Sequence, residues 1–155
     1  MTAVLFLDID GVLNHRACFI PSRGGSPLCP EAIRRLRGVV SVTGCKVVLS
    51  STWRMLGAHV DKLKEAGGFP SPHDDWRTSE LHGRNPGGSI IISKRGEEIA
   101  EWLDRHPEVE RYAIVDDEND MLQEQLPFFV QTTFDTGMLD EHADRLVHIL
   151  KGEAS

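Results

Sequence analysis

The run Val4-Leu5-Phe6-Leu7-Asp8-Ile9-Asp10-Gly11 constrains this chain more than any other stretch. Continuous apolar residues read as a strand buried on both faces, the situation of a parallel sheet covered by helices. The run stops at two carboxylates one residue apart. Side chains at i and i+2 of an extended segment point the same way, so Asp8 and Asp10 converge on one point. Ligands of open α/β sheets bind outside the carboxyl ends of such strands. Two close carboxylates repel, and a bound cation or a shared proton makes their pairing tolerable. Gly11 then lets the backbone turn sharply or approach a ligand closely.

The rest of the chain repeats the theme. The first strand is expected at Ala3 to Ile9. Asn14 to Cys29 holds Pro21, Gly24, Gly25 and Pro27 and reads as loop, with room for a short hairpin. Pro30 and Glu31 open a helix striped by Ile33, Leu36 and Val40, with Gly44 at its end. Lys46 to Ser50 is a second buried strand, ending in the hydroxyls Ser50, Ser51 and Thr52. Leu56, Val60 and Leu63 mark another helix, stopped by Gly67-Gly68. Residues 69–89 read as a long irregular loop, and Ser89 to Ile92 as a short strand or an extended approach. Lys94-Arg95 precede a helix with Ile99, Trp102 and Leu103 on its core face. Arg111 to Val115 is a third strand, ending in Asp116-Asp117, and Phe128 to Thr132 a fourth. Asp140 is expected to cap a last helix with Ala143, Leu146, Val147 and Leu150 facing the core. Strands alternating with helices predict an α/β fold with a mainly parallel sheet and helices on both faces. At 155 residues the expectation is one domain over 1–155.

Composition narrows the function. A formal charge of −7 argues against broad nucleic-acid binding, which needs a basic face, but leaves room for one phosphorylated end held by a local basic patch. No apolar run reaches the roughly 20 residues of a membrane span. Cys18, Cys29 and Cys45 fit neither a CxxC nor a zinc pattern, and no signal peptide is visible. Reduced thiols in a cytoplasmic protein are the expectation. The histidines show no ligand spacing.

Polar groups gather where three strands end. Asp8, Asp10 and Asp116/Asp117 offer hard oxygen donors, which suit Mg²⁺ and not zinc. Ser50 can donate to a phosphate oxygen, and Lys94 or Arg95 can neutralise phosphate charge. One carboxylate can attack phosphorus while a second protonates the leaving oxygen and later activates water. A calcium loop starting at Asp116 fails, with Met121 where glycine is needed and Pro127 where the bidentate glutamate belongs. A phosphorylated receiver domain is disfavoured because the Asp-Asp pair comes late in the chain. No P-loop motif is present.

Asp8-Ile9-Asp10-Gly11-Val12-Leu13 resembles the first motif of the haloacid dehalogenase superfamily of phosphohydrolases. Ser50 at its strand end resembles the second motif, the basic residue before a helix the third, and Asp116-Asp117 the fourth. Val47 to Arg54, Arg95-Gly96-Glu97-Glu98-Ile99 and Ile114 to Asp117 are similar to a small branch found as the phosphatase-like domain of predicted RNA-repair proteins. The resemblance implies a three-layer α/β/α Rossmannoid fold and an Mg²⁺-dependent phosphatase working through an aspartyl-phosphate. It makes Asp8 the nucleophile and a metal ligand, and Asp10 the general acid/base with its backbone carbonyl on the metal. Ser50 would bind the phosphoryl group. Arg95, with Lys94 as the adjacent alternative, would supply the third-motif charge. Asp116 would hold Mg²⁺, with Asp117 as ligand or supporting residue. Gly11, Ser51 and Arg54 are placed in substrate binding. An aspartate at both early positions favours phosphoester over carbon–halogen chemistry.

The two usual cap insertion points offer about 30 and about 40 residues, too few for a full cap domain. A minimal or absent cap suits a phosphate on a large molecule, such as a nucleic-acid end. His73, Trp76, Arg77, His82 and Arg84 have two readings: a rim over the site, with a base stacking on Trp76 and Arg77 or Arg84 meeting a second phosphate, or, the favoured one, a solvated loop anchored by its Trp. No membrane or obligate protein partner is expected. The alternative is a catalytically silent phosphate- or metal-binding module, although every motif residue is present.

Overall fold

The structure, a computed structural model, describes residues 2–19, 27–84, 86–88 and 90–153; of residues 82–84 and 90–92 it describes the backbone. β1 (Ala3–Leu7) leads through one helical turn, α1 (Arg16–Phe19), to α2 (Pro30–Thr43). β2 (Lys46–Leu49) is followed by a 3₁₀ turn at Thr52–Met55 and by α3 (Gly57–Glu65). β3 (Pro72–Arg77) and the strands β4 (His82–Arg84) and β5 (Ile90–Ile92) precede α4 (Arg95–Asp104). β6 (Arg111–Asp116), a 3₁₀ segment at Gln123–Phe128, β7 (Phe129–Gln131) and α5 (Asp140–Lys151) follow.

Five strands form a parallel sheet in the order β3-β2-β1-β6-β7. β4 and β5 pair antiparallel as a separate hairpin. β1 is the central strand and every residue in it is buried. Its alternation divides the core as the pleat requires. Leu5 and Leu7 join Val47, Leu49, Ala113 and Val115 against α2, α3 and α5 through Ile33, Leu36, Leu63 and Leu146. Val4 and Phe6 join Val48 and Ile114 against α4 through Ile99 and Trp102. Phe6 meets Trp102 edge to face, with ring centroids 5.2 Å apart. The result is the expected three-layer α/β/α architecture. No helix among the described residues is long and apolar enough to cross a membrane.

Several local expectations change. β1 stops at Leu7, because Asp8 and Ile9 turn into the site instead of continuing the strand. The start of the 14–29 segment is helical at α1 and shows no strand among its described residues; residues 20–26 lie outside them. The 69–89 loop contains β3 and β4. Pro72 to Arg77 is charged and lacks apolar alternation, but an edge strand needs a ladder on one side only, and β2 supplies it. Asp140 is the first residue of α5, not its cap. There its charge suits a helix N-terminus, and Arg35 Nε donates to it at 2.8 Å.

The thiol expectation is corrected for two of the three cysteines. Cys18 and Cys29 form a disulfide, while Cys45 is free and buried. The turn of α1 and the entry to α2 place their Cα atoms 6.9 Å apart, which spacing along the chain did not suggest.

Candidate active site

Strand register sets the site. Leu7 pairs with Leu49 on one side and with Val115 on the other. The next residues, Asp8, Ser50 and Asp116, therefore stand level at the carboxyl edge. Backbone bonds carry the ladders one step further, from Asp8 N to Val115 O (3.1 Å) and from Ser50 N to Leu7 O (3.1 Å). The edge is also the topological switch point, since the chain runs outward from β1 in both directions.

Carboxylate oxygens of Asp8, Asp116 and Asp117 lie within 4.8 Å of one another. Gly11 makes this approach feasible. Its φ is +81°, and a Cβ there would lie 2.2 Å from Asp117 Oδ2. Thr132 Oγ1 donates to Gly11 O at 2.5 Å and pins the turn from the end of β7.

The Asp10 carboxylate is not in that group. Its Oδ1 accepts from Asn14 Nδ2 at 2.9 Å and from Trp53 Nε1 at 3.2 Å. Asn14 Oδ1 accepts from Gly11 N at 2.9 Å, so one amide fixes both the acid and the turn. Asn14 read as loop, and the position of Trp53 directly after the hydroxyls left both a functional and a packing role open. The only signal in the sequence was their closeness to the two motifs.

Arg95 faces the carboxylates. Its Nη1 lies 3.7 Å from Asp8 Oδ1 and donates to Ser50 O. Lys94 is exposed at the start of α4, its backbone N bonded to Glu97 Oε2. The connection after β6 holds the start of α4: Arg95 N donates to Asp120 Oδ2 and Gly96 N to Asp120 O, each at 3.1 Å. A Cβ on Gly96 would lie 2.6 Å from Leu122 N, so this contact requires glycine.

Burial raises the pKa of both central acids. Asp116 is pushed up to about 9, by desolvation first and then by the charge of Asp8. Asp8 rises to about 6, its desolvation partly offset by Arg95. Two such acids share a proton unless a cation replaces it. Asp116 Oδ2 and Ser50 Oγ are buried and have no hydrogen-bond partner. The donor set is entirely hard oxygen and fits Mg²⁺.

Other expected contacts are committed elsewhere. The Arg54 guanidinium, 3% exposed, donates to Thr78 O, Ser50 O and Ser51 O and pairs with Glu98 at 3.2 Å. It braces the motif backbone and is not directed at a substrate. Ser51 Oγ accepts from Trp53 N and caps the 3₁₀ turn. Trp76 packs against the core under the Arg77 guanidinium, and His73 packs on Trp102 and His106. The rim therefore loses His73 and Trp76, and Trp76 anchors the segment as the other reading expected; the His82 and Arg84 side chains lie outside the described residues.

A parallel Rossmannoid sheet carrying aspartates at the ends of two adjacent strands, with a buried hydroxyl and an arginine beside them, is the arrangement of a haloacid dehalogenase-like (HAD) domain, a class made up generally of hydrolases. Within that class the chain belongs to the family described as the HAD domain in Swiss Army Knife RNA repair proteins, which it matches over residues 4–143. No curated protein matches the chain.

Proposed function

We propose that this domain is an Mg²⁺-dependent phosphatase that hydrolyses a phosphomonoester on a nucleic-acid end or nucleotide. One observation carries the reading. Ser50 Oγ and Asp116 Oδ2 are buried without partners on either side of Asp8. Unsatisfied buried groups are costly and call for a ligand.

In this mechanism an Asp8 oxygen attacks phosphorus and the ester oxygen leaves, giving an aspartyl-phosphate. Asp10 protonates the leaving oxygen, then takes a proton from the water that cleaves the intermediate. Asn14 and Trp53 hold its other oxygen through both steps. Ser50 Oγ donates to a phosphoryl oxygen, and Arg95 offsets the charge gathering between phosphate and Asp8. Mg²⁺ held by Asp8, Asp116 and Asp117 supplies further charge neutralisation when bound. The family's association with RNA repair supports a nucleic-acid end as substrate. The net charge of −7 favours a locally recognised phosphate over a long duplex.

The test is Mg²⁺-dependent phosphate release from 3′- and 5′-phosphorylated oligonucleotides and from a small aryl phosphate, with Asp8→Asn as control. The expected result is release from an oligonucleotide end that falls to background in the control. Release from the aryl phosphate alone would remove the nucleic-acid reading. Undiminished release by Asp8→Asn would remove the mechanism.

A further inference from the structure

A second group of ligand-type side chains lies just beyond Asn14. A His15 ring nitrogen, Cys18 Sγ and Cys29 Sγ all lie within 4.8 Å of one another. We propose that, once the disulfide is reduced, His15, Cys18 and Cys29 bind one Zn²⁺.

His15 Nδ1 is buried and has no hydrogen-bond partner. That separates this group from the other histidine cluster, His73, His106 and Glu108. There both His106 nitrogens are taken, by Asp75 at 2.7 Å and Glu108 at 2.8 Å, leaving no lone pair for a metal.

The three ligands are held together without the sulfur–sulfur bond. Cys18 N donates to His15 O at 2.9 Å, and Cys29 N to Leu13 O at 2.8 Å. Asn14 Nδ2 donates to Pro27 O at 3.0 Å, tying the two arms a second time. Reduction therefore opens the bond inside a cage that its backbone maintains. Tetrahedral zinc needs ligand atoms roughly 3.5–4 Å apart, from Zn–S and Zn–N lengths near 2.3 and 2.0 Å. Cα atoms 6.9 Å apart leave the two sulfurs room to separate that far. Two thiolates and an imidazole are a zinc set and a poor Mg²⁺ set, so the ions sort between this site and the carboxylates. Three protein ligands leave a fourth position for water.

The chemistry balances with a dithiol reductant. Its two thiols give two electrons and two protons to the Cys18–Cys29 bond and close their own disulfide. The two cysteine thiols then lose their protons to solvent as the metal binds. This site is independent of the phosphatase reading.

The experiment titrates Co²⁺ and then Zn²⁺ into chain reduced with a dithiol and freed of excess reductant without air. Thiolate-to-cobalt absorption reports sulfur ligation, which the carboxylate site cannot produce. One equivalent should develop the band in the wild type and in Asp8→Asn, and Zn²⁺ should abolish it by displacement. Reoxidation should also abolish it. His15→Ala should weaken binding by about tenfold or more, since losing even a supporting contact to a ligand costs that much. Zn²⁺ should also protect Cys18 and Cys29 of the reduced wild type from alkylation, a readout that needs no variant. Absence of the band and of protection, a band that survives in Cys18→Ser/Cys29→Ser, or unchanged affinity in His15→Ala would each overturn the proposal.

Discussion

Trp53 Nε1 donates to Asp10 Oδ1 at 3.2 Å, from an indole that is only 1% exposed and stacks on the His59 ring 4.6 Å away. A side chain of the 3₁₀ turn after β2 thereby fixes an acid that follows β1. Asn14 donates to the same oxygen from the other side of the turn, at 2.9 Å.

Trp53→Phe keeps a buried ring and removes the donor. A hydrogen bond to a charged group contributes about 1.5–3 kcal/mol, and Asn14 retains part of the restraint, so kcat should fall about tenfold or somewhat more. KM should change little, because the indole donates to Asp10 and not to Ser50 or Arg95, the groups proposed to meet the phosphate. Steady-state kinetics separate the two constants. An unchanged kcat would show that Asn14 alone positions the acid.

Arg54 and Glu98 form a buried pair, 3% and 7% exposed, and Ser93 Oγ donates to the second Glu98 oxygen at 3.1 Å. Removing one member leaves the other charge buried without its partner, which typically costs about 3–5 kcal/mol. Glu98→Ala should therefore lower the urea midpoint by a large fraction of the total stability. The protein that remains folded should keep its KM. The opposite result, full stability with a steep rise in KM, would return Arg54 to substrate binding.

His106 links the end of α4 to β3. Burial disfavours its charge, but Asp75 and Glu108 accept from its two nitrogens, and the net effect raises its pKa above the ordinary 6.5. Asp75, although burial opposes its charge, is held below the ordinary 3.8 by His106 and Arg105. The signs define a window. The His106 contribution is fully present below its unfolded pKa and is lost as pH rises through its folded value. The Asp75 contribution is present above its unfolded pKa and is lost as pH falls through its folded value. His73 and Trp102 pack on the same ring and complete its surroundings. His106→Gln should thus cost more stability near about pH 5.5 than near about pH 8.5. Urea midpoints of both proteins at both values check this, and an equal cost would show that the contact does not depend on the charge.

Patterning along the chain announces the central strands and the carboxylates that follow them. A strand buried on both faces must stay apolar to its end, so Val4 to Leu7 announces both its burial and the abrupt arrival of Asp8. The stripes of α2 and α5 follow from the same need to leave water on one side. Tertiary structure decided the rest. Edge strand β3 carries no apolar signature, because its ladder to β2 is what orders it. Lys94 and Arg95 are adjacent cations in the sequence, but Lys94 stands in extended backbone just before α4 and is exposed, while Arg95, the first helical residue, faces Asp8. The bond between Cys18 and Cys29, the nearness of His15, the burial of Arg54 and the grip of Trp53 and Asn14 on Asp10 all depend on distance across the fold. Patterning reports which residues leave water; only the packed chain fixes the partner each polar atom meets there.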